Sequence, residues 1–190
     1  MKFFALLRMV AATLFTAACL IALSTGPAQA QVVSWQRIFG IPQAFNVVGK
    51  GTGAVTGGAP WVTTSGNASV NLSNGNANFQ VRGLVLAVGS EASVPISGLD
   101  IGTPAGVTEV KGTLVCNVSG TTNSGNSVLV DTPAVPLSAL GNASFAGNIG
   151  PISSVCGPSD IAFLIRIVQP VGFANLWIAA GGIPTPPHDE

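Results

Sequence analysis

The sequence predicts an all-β protein: an antiparallel β-sandwich of the Ig-like or Greek-key type, with a β-barrel as the alternative. Short runs of β-branched and aromatic residues alternate with clusters of Gly, Asn, Ser and Pro, a spacing typical of sandwiches and barrels. Beyond the first thirty residues, no stretch shows the 3.6-residue apolar repeat of an amphipathic helix. The two cysteines in the same region are typical of a small exported β-domain that is stabilised by one disulfide bond.

Nine runs are predicted as strands because each combines β-forming residues with turn-forming residues at its ends. They are residues 32–39, 44–48, 68–72, 78–88, 107–118, 127–130, 143–149, 161–168 and 176–180.

The clearest strand is 107–118, where apolar and polar residues alternate with a period of two. Alternation places the two sets of side chains on opposite faces of a strand. The apolar set, expected in the core, is Val110, Leu114, Cys116 and Val118. The polar set, expected to face solvent, is Glu109, Lys111, Thr113 and Asn117.

Cys116 and Cys156 are expected to form a structural disulfide. They are the only cysteines after residue 30, and an even cysteine count in an exported chain indicates a disulfide framework. Neither has a neighbouring histidine or a C-x-x-C partner, which disfavours a metal site or a catalytic thiol. Because Cys116 is on the apolar face of its strand, the bridge should join core elements.

The first thirty residues have the pattern of a secretory signal peptide. Lys2 and Arg8 supply the positive charge of the N-terminal region, and residues 9–23 are almost entirely apolar. The segment ends in a stretch of small residues, and cleavage is expected after Ala30. The apolar run is shorter than the roughly 20 residues of a membrane-spanning helix. Lipidation at Cys19 is the alternative processing event, although the usual aliphatic residue three places earlier is absent.

Cleavage after Ala30 leaves 160 of the 190 residues, enough for one domain with a real core. We expect a single domain over 31–183, followed by an extended Pro-rich tail over 184–190. No later segment approaches the length of a membrane span, so the mature chain is expected to be secreted or held in the cell envelope.

The mature chain is poor in charge, and its surface must consist largely of Asn, Ser, Thr and Gly. Without Lys2 and Arg8, five basic residues remain against seven acidic ones. These five are scattered singly along the sequence, whereas binding to nucleic acid needs a clustered cationic face. Nucleic acid is therefore not an expected partner. Such a surface suits packing against copies of the chain or against envelope or extracellular components.

The sequence offers few residues for catalysis, and we expect no catalytic centre, metal site or cofactor. The single histidine, His188, is in the Pro-rich tail, so a Ser-His-Asp triad or a histidine zinc site is not expected. The glycine run from Gly49 lacks the spacing of a phosphate-binding loop. Paired carboxylates of the glycosidase kind remain an alternative. The candidates are Glu91, Asp100, Glu109, Asp131 and Asp160.

Trp61 is the best candidate for a binding residue. It follows Pro60 just after a glycine-rich loop, where an exposed indole could stack on a sugar or an apolar ligand. Trp35 and Trp177 lie inside apolar runs and are expected in the core.

These observations favour a non-enzymatic exported domain that acts by packing or adhesion in the envelope or outside the cell. A secreted module binding a glycan or a small ligand through Trp61 is the first alternative, and a carboxylate-dependent hydrolase is the second.

Overall fold

The computed structural model describes residues 31–88 and 101–182. The predicted signal peptide and the Pro-rich tail lie outside these ranges. Two antiparallel sheets pack face to face as a sandwich, and they do not close into a barrel. The predicted fold class is therefore confirmed. Within the described ranges there is no α-helix, and hence none that could cross a bilayer.

The first sheet has four strands, and the two central strands are consecutive in sequence and form a hairpin. The strands are β1 (Val32–Trp35), β6 (Ser65–Asn71), β7 (Asn76–Arg82) and β12 (Ala143–Asn148). Their order in the sheet is β1-β6-β7-β12, with every pair antiparallel.

The second sheet has six strands, with the two longest at its centre. The strands are β2 (Ile38–Gly40), β9 (Glu109–Cys116), β10 (Val128–Asp131), β11 (Val135–Pro136), β13 (Ile161–Gln169) and β14 (Trp177–Gly181). Their order in the sheet is β10-β9-β13-β14-β2, and β11 pairs with the same edge of β9 as β10 does.

Two short ladders and three helical turns complete the described fold. One ladder joins β3 (Val47–Val48) to β4 (Val55–Thr56), and the other joins β5 (Trp61–Val62) to β8 (Val85–Leu86). Single 3-10 turns occupy Gly51–Gly53, Asn123–Gly125 and Val171–Phe173.

The predicted strand 32–39 is divided between the two sheets. β1 pairs with β6 in the four-stranded sheet, and only two residues later β2 pairs with β14 in the six-stranded sheet. Strands change sheet in this way at the corners of sandwiches. The predicted run 78–88 also splits, because Gly83 adopts a left-handed φ of 61° between β7 and β8.

Aromatic side chains from both sheets meet in the centre of the sandwich. The ring of Phe163 on β13 lies 5.9 Å from that of Phe79 on β7 and 5.5 Å from that of Trp35 on β1. Gly112 on β9 leaves the space for them, since a Cβ there would lie 2.7 Å from Phe163 Cζ. A small residue opposite large ones lets the two layers approach each other closely.

The disulfide between Cys116 and Cys156 is present, as predicted, with a Cα–Cα distance of 4.6 Å. Both residues are buried. Because Cys116 is the last residue of β9, the bridge ties the centre of the six-stranded sheet to the loop between β12 and β13.

Thr113 does not face solvent, contrary to the expectation from its strand. It points away from the core, as the alternation predicts, but the outer face of the six-stranded sheet is itself covered there. Thr113 Oγ1 donates to Asp131 Oδ1 at 2.7 Å, and the buried Arg166 lies beside both residues.

Asn117 is also buried rather than solvent-facing, with none of its surface exposed. Its side-chain amide donates to the carbonyls of Thr122 and Asn126, each at 2.8 Å, and its Oδ1 accepts from the Thr122 amide at 3.0 Å. The side chain therefore closes the turn after β9 from the inside, a role for which Asn is suited.

Candidate functional site

The outward side of β6, β7 and β12 in the four-stranded sheet is an array made mostly of amide and hydroxyl side chains, which we call the amide face. Its residues alternate with inward-facing residues along the three strands. They are Ser65, Asn67, Ser69 and Asn71 on β6, Asn76, Asn78, Gln80 and Arg82 on β7, and Ser144, Ala146 and Asn148 on β12.

The strand register aligns these side chains in rows across the sheet. In one row Asn67 lies opposite Gln80, which lies opposite Ser144. Neighbouring strands are about 4.8 Å apart, and successive residues on one face are about 6.7 Å apart. The amide face is therefore a two-dimensional grid with a fixed spacing rather than a single pocket.

Cross-strand hydrogen bonds hold part of the grid in place. Asn78 Nδ2 donates to Ser69 Oγ at 2.7 Å, and Asn148 Nδ2 donates to Asn76 Oδ1 at 2.9 Å. Asn148 also donates to the Asn74 carbonyl at 2.7 Å. Side chains that are already fixed lose less conformational entropy when a ligand binds.

Asn67 and Gln80 are the two amide side chains of the grid that are free to bind a partner. Both are exposed, and neither side chain has a hydrogen bond within residues 31–88 and 101–182. Each primary amide offers two N–H donors and an acceptor oxygen. The pair can therefore donate to and accept from a partner in the same row.

The amide face is close to electrically neutral. Arg82, at one end of β7, is the single ionisable side chain among its members. Two shallow depressions lie on the face: one of about 380 Å³ beside Asn76 and Asn78, and one of about 430 Å³ beside Gln80 and Arg82. A partner that fits this surface must match polar groups rather than charge.

The indole of Trp61 is not an exposed platform, contrary to the expectation from its position after the glycine-rich loop. Only 4% of the residue is exposed. Trp61 belongs to β5, which pairs with β8, and its amide donates to the Ile41 carbonyl at 2.8 Å, so the segment is held against the sandwich. It is one of the residues that line an open groove of about 540 Å³, together with Phe39 and Val88.

Trp35 and Trp177 are in the core, as expected, with 1% and 5% exposed. The indole N–H of Trp177 donates to the Asn46 carbonyl at 2.9 Å, which ties the loop before β3 to the beginning of β14.

The carboxylates within the described ranges do not assemble into a catalytic pair. Asp131 pairs with Lys111 and Arg166, at 2.6 and 3.2 Å. Asp131 lies opposite Thr113, and Thr113 is four residues along β9 from Glu109, so the Cα atoms of the two acidic residues are at least about 13 Å apart. The carboxyl groups of a glycosidase pair are roughly 5–10 Å apart.

Asp160 has a structural role. Its carboxylate accepts from the backbone amide of Ser119 at 2.8 Å and from its hydroxyl at 2.7 Å, which closes the turn after β9. Glu91, Asp100 and His188 lie outside the described residues. Among residues 31–88 and 101–182, no group of three His, Cys, Asp or Glu side chains could hold a metal ion.

The glycine-rich loop packs against the turn before β10. Lys50 and Ser127 exchange two hydrogen bonds, from Lys50 N to Ser127 Oγ at 2.8 Å and from Ser127 N to the Lys50 carbonyl at 3.0 Å. The amide of Thr52 donates to Asn126 Oδ1 at 3.0 Å. The amide of Thr52, which an anion-binding loop would leave free, is therefore already bonded within the chain.

The amide face was not singled out from the sequence, although its signal is present there. Residues 76–82 read Asn-Ala-Asn-Phe-Gln-Val-Arg, a strict polar-apolar alternation. The same alternation runs through residues 65–71. Two such segments joined by a short turn indicate a hairpin with one amide-rich face.

No family model matches the chain, and neither a curated protein nor a solved structure matches it.

Proposed function

We propose that the protein is an exported, non-enzymatic β-sandwich module that adheres to a neutral, hydroxyl-rich polysaccharide through its amide face. The observation that carries this proposal is the grid itself: eleven outward positions on three strands, with one charge among them. A repeating surface suits a repeating partner, because the same contact can form at several positions along a polymer.

The chemistry of the face supports a neutral polysaccharide. Sugar hydroxyls both donate and accept hydrogen bonds, and so do the side chains of Asn67 and Gln80. An anionic polymer would find only Arg82 to pair with, and a cationic polymer would find no carboxylate on this face. The prearranged amides of Asn78 and Asn148 further lower the entropic cost of binding.

The engagement of the carboxylates supports a non-enzymatic role. Asp131 and Asp160 each serve the fold, through ion pairs and through a turn respectively. Export is supported by the signal-like first thirty residues and by the disulfide, because such bonds persist in oxidising compartments.

The test is co-sedimentation of the protein with a panel of insoluble neutral polysaccharides, namely cellulose, an insoluble α-glucan and chitin. We expect retention on at least one of them. Asn67→Ala combined with Gln80→Ala should weaken that retention at least tenfold, while the denaturation midpoint stays unchanged, because neither side chain has an internal hydrogen bond.

Thr56→Ala is the matched control, since Thr56 is an exposed polar residue on β4, outside the amide face. It should bind like the unsubstituted protein. Failure of the unsubstituted protein to bind any member of the panel would overturn the proposal. So would retention of the double variant at the unsubstituted level.

A further inference from the structure

The edge strand β12 carries a row of backbone groups with no partner. Its six residues pair with β7 without a break in register. Ile149 donates to the Gly75 carbonyl on the β7 side, so by antiparallel alternation Phe145 and Gly147 also face β7. The N–H and C=O groups of Ser144, Ala146 and Asn148 then point away from the sheet. Across the described ranges, none of these groups has a hydrogen bond.

The other long edges of the sandwich are covered or interrupted. Beside β2, Thr63 Oγ1 donates to the Ile38 carbonyl at 2.7 Å, and Trp61 pairs with Ile41. β10 ends in the ion-paired Asp131, and charge on an edge strand discourages further pairing. β1 has only four residues, so it offers outward groups from two residues where β12 offers them from three.

β12 itself carries none of the sequence devices that prevent edge pairing, and within the described ranges its main neighbouring strand outside its own sheet, β11, lies near its first two residues. Natural edge strands are protected by charged side chains, by proline, by bulges, by very short length or by a segment that covers them. The sequence of β12 is Ala-Ser-Phe-Ala-Gly-Asn, with no charge and no proline, and its register with β7 has no bulge. Positions 144, 146, 147 and 148 are all exposed.

We propose that β12 pairs with β12 of a second copy of this chain, antiparallel, about a twofold axis through Ala146. An axis perpendicular to the sheet makes the interface identical for both copies. Ala146 then lies opposite Ala146 of the second copy, and Ser144 lies opposite its Asn148. The outward groups of these three residues form six hydrogen bonds in total.

The side chains of β12 are self-complementary in this register. On the core side Phe145 lies opposite Gly147 of the second copy, so a large residue faces one without a side chain. On the outer side two alanines meet at the axis, and a hydroxyl faces an amide on either side of them. No like charges are brought together.

This pairing gives a function to the open edge and does not depend on polysaccharide binding. The two four-stranded sheets become one sheet of eight strands. Side chains opposite one another in an antiparallel pair point to the same side, so both amide faces lie on one surface. Two linked binding faces bind a polymer far more tightly than one alone.

The first test measures the size of the protein by sedimentation equilibrium without any ligand. We expect a dimer that Ala146→Pro converts to a monomer, because proline removes an N–H that faces away from β7. Proline is tolerated at such positions on edge strands. Ala146→Lys is a second variant that retains the N–H but places like charges at the axis, and it should also be monomeric.

Phe145→Pro is the contrasting variant, because its N–H faces β7; it should destabilise the fold, whereas Ala146→Pro should not. A monomeric unsubstituted protein would overturn the proposal. So would a dimer that survives both substitutions at position 146.

The second test fixes the register by oxidation of single cysteines in a chain that carries Cys19→Ser. Opposite residues in a hydrogen-bonded pair have Cα atoms about 5.5 Å apart, within the range of a disulfide. Ala146→Cys should therefore give a covalent dimer. Ser144→Cys should not, since the two copies of that residue would be about 13 Å apart. A cross-link at position 144 but not at 146 would contradict the proposed axis.

Discussion

At the scale of single residues, Asp131 holds together the outer face of the six-stranded sheet. Its two oxygens serve two cations, with Lys111 Nζ on one and Arg166 Nη1 on the other. Arg166 is buried, and its remaining donors reach the side chain and carbonyl of Asn175. Within the described part of the chain, the Asp131 carboxylate is thus the only negative charge that pairs with the buried Arg166 guanidinium.

Replacing the Asp131 carboxylate should therefore lower the free energy of unfolding more than replacing the partly buried Lys111 ammonium. We expect Asp131→Asn to lower the free energy of unfolding by about 2–3 kcal/mol, because it leaves Arg166 buried without an anion. Lys111→Met should cost less than about 1 kcal/mol, since Arg166 still neutralises the aspartate. Urea denaturation of the two variants measures both values; equal losses would contradict the assigned role.

Gly112 permits the aromatic contact between the two sheets. Gly112→Ala places a Cβ 2.7 Å from Phe163 Cζ and 2.9 Å from Phe79 Cδ1. We expect a loss of about 1–3 kcal/mol in the free energy of unfolding, which is typical of overpacking in a core. Gly172→Ala is the matched control, because no atom lies within 4 Å of the added Cβ. Its denaturation midpoint should not change.

At the scale of elements, alternation and turn chemistry predicted where most strands lie. Each of the nine predicted runs overlaps at least one strand. Three strands were missed, namely β4, β5 and β11. Each has only two residues and is formed through its neighbours rather than through its own propensity, as the backbone bond from Trp61 to Ile41 illustrates.

The division of residues 32–39 between two sheets could not be predicted from local pattern. Both halves have strand-forming residues, and only the positions of β6 and β14 determine which half pairs with which sheet. The burial of Trp61 has the same origin, since it depends on β8 and Ile41. Contacts between residues far apart in sequence determine both the division of residues 32–39 and the burial of Trp61. The periodicity of a single sequence does not reveal such contacts.

The disulfide acts at the scale of elements by joining β9 to the loop before β13. The bridged residues are separated by 40 positions, so the chain-entropy model assigns the bond about 4 kcal/mol. We expect reduction, or Cys116→Ser with Cys156→Ser, to lower the midpoint of urea denaturation substantially. An unchanged midpoint after verified reduction would contradict a stabilising role.

At the scale of the whole molecule, scarcity of charge sets how the protein responds to its solvent. Seven basic and seven acidic residues are present among 190, and the amide face has one of them. Salt screens interactions between exposed charges, with a Debye length of about 10 Å at 0.1 M. Hydrogen bonds between neutral groups are affected much less.

Retention on a neutral polysaccharide should therefore change little with ionic strength. We expect less than about a twofold change in affinity between 0.05 and 1 M NaCl, measured by the co-sedimentation described above. Arg82→Gln should leave retention nearly unchanged under the same conditions. A steep loss of binding with salt would indicate that charge, and not the amide grid, holds the polymer.

The passage of one extended segment from the first sheet to the second also has a mechanical consequence. Tension applied to the chain before residue 32 pulls β1 along its own axis, at right angles to the hydrogen bonds that join it to β6. Bonds loaded in this direction must break together rather than one after another. Because β2 follows two residues later, the load that remains is passed to the other sheet. A module tethered through the residues before β1 would therefore resist mechanical unfolding with the hydrogen bonds of both sheets.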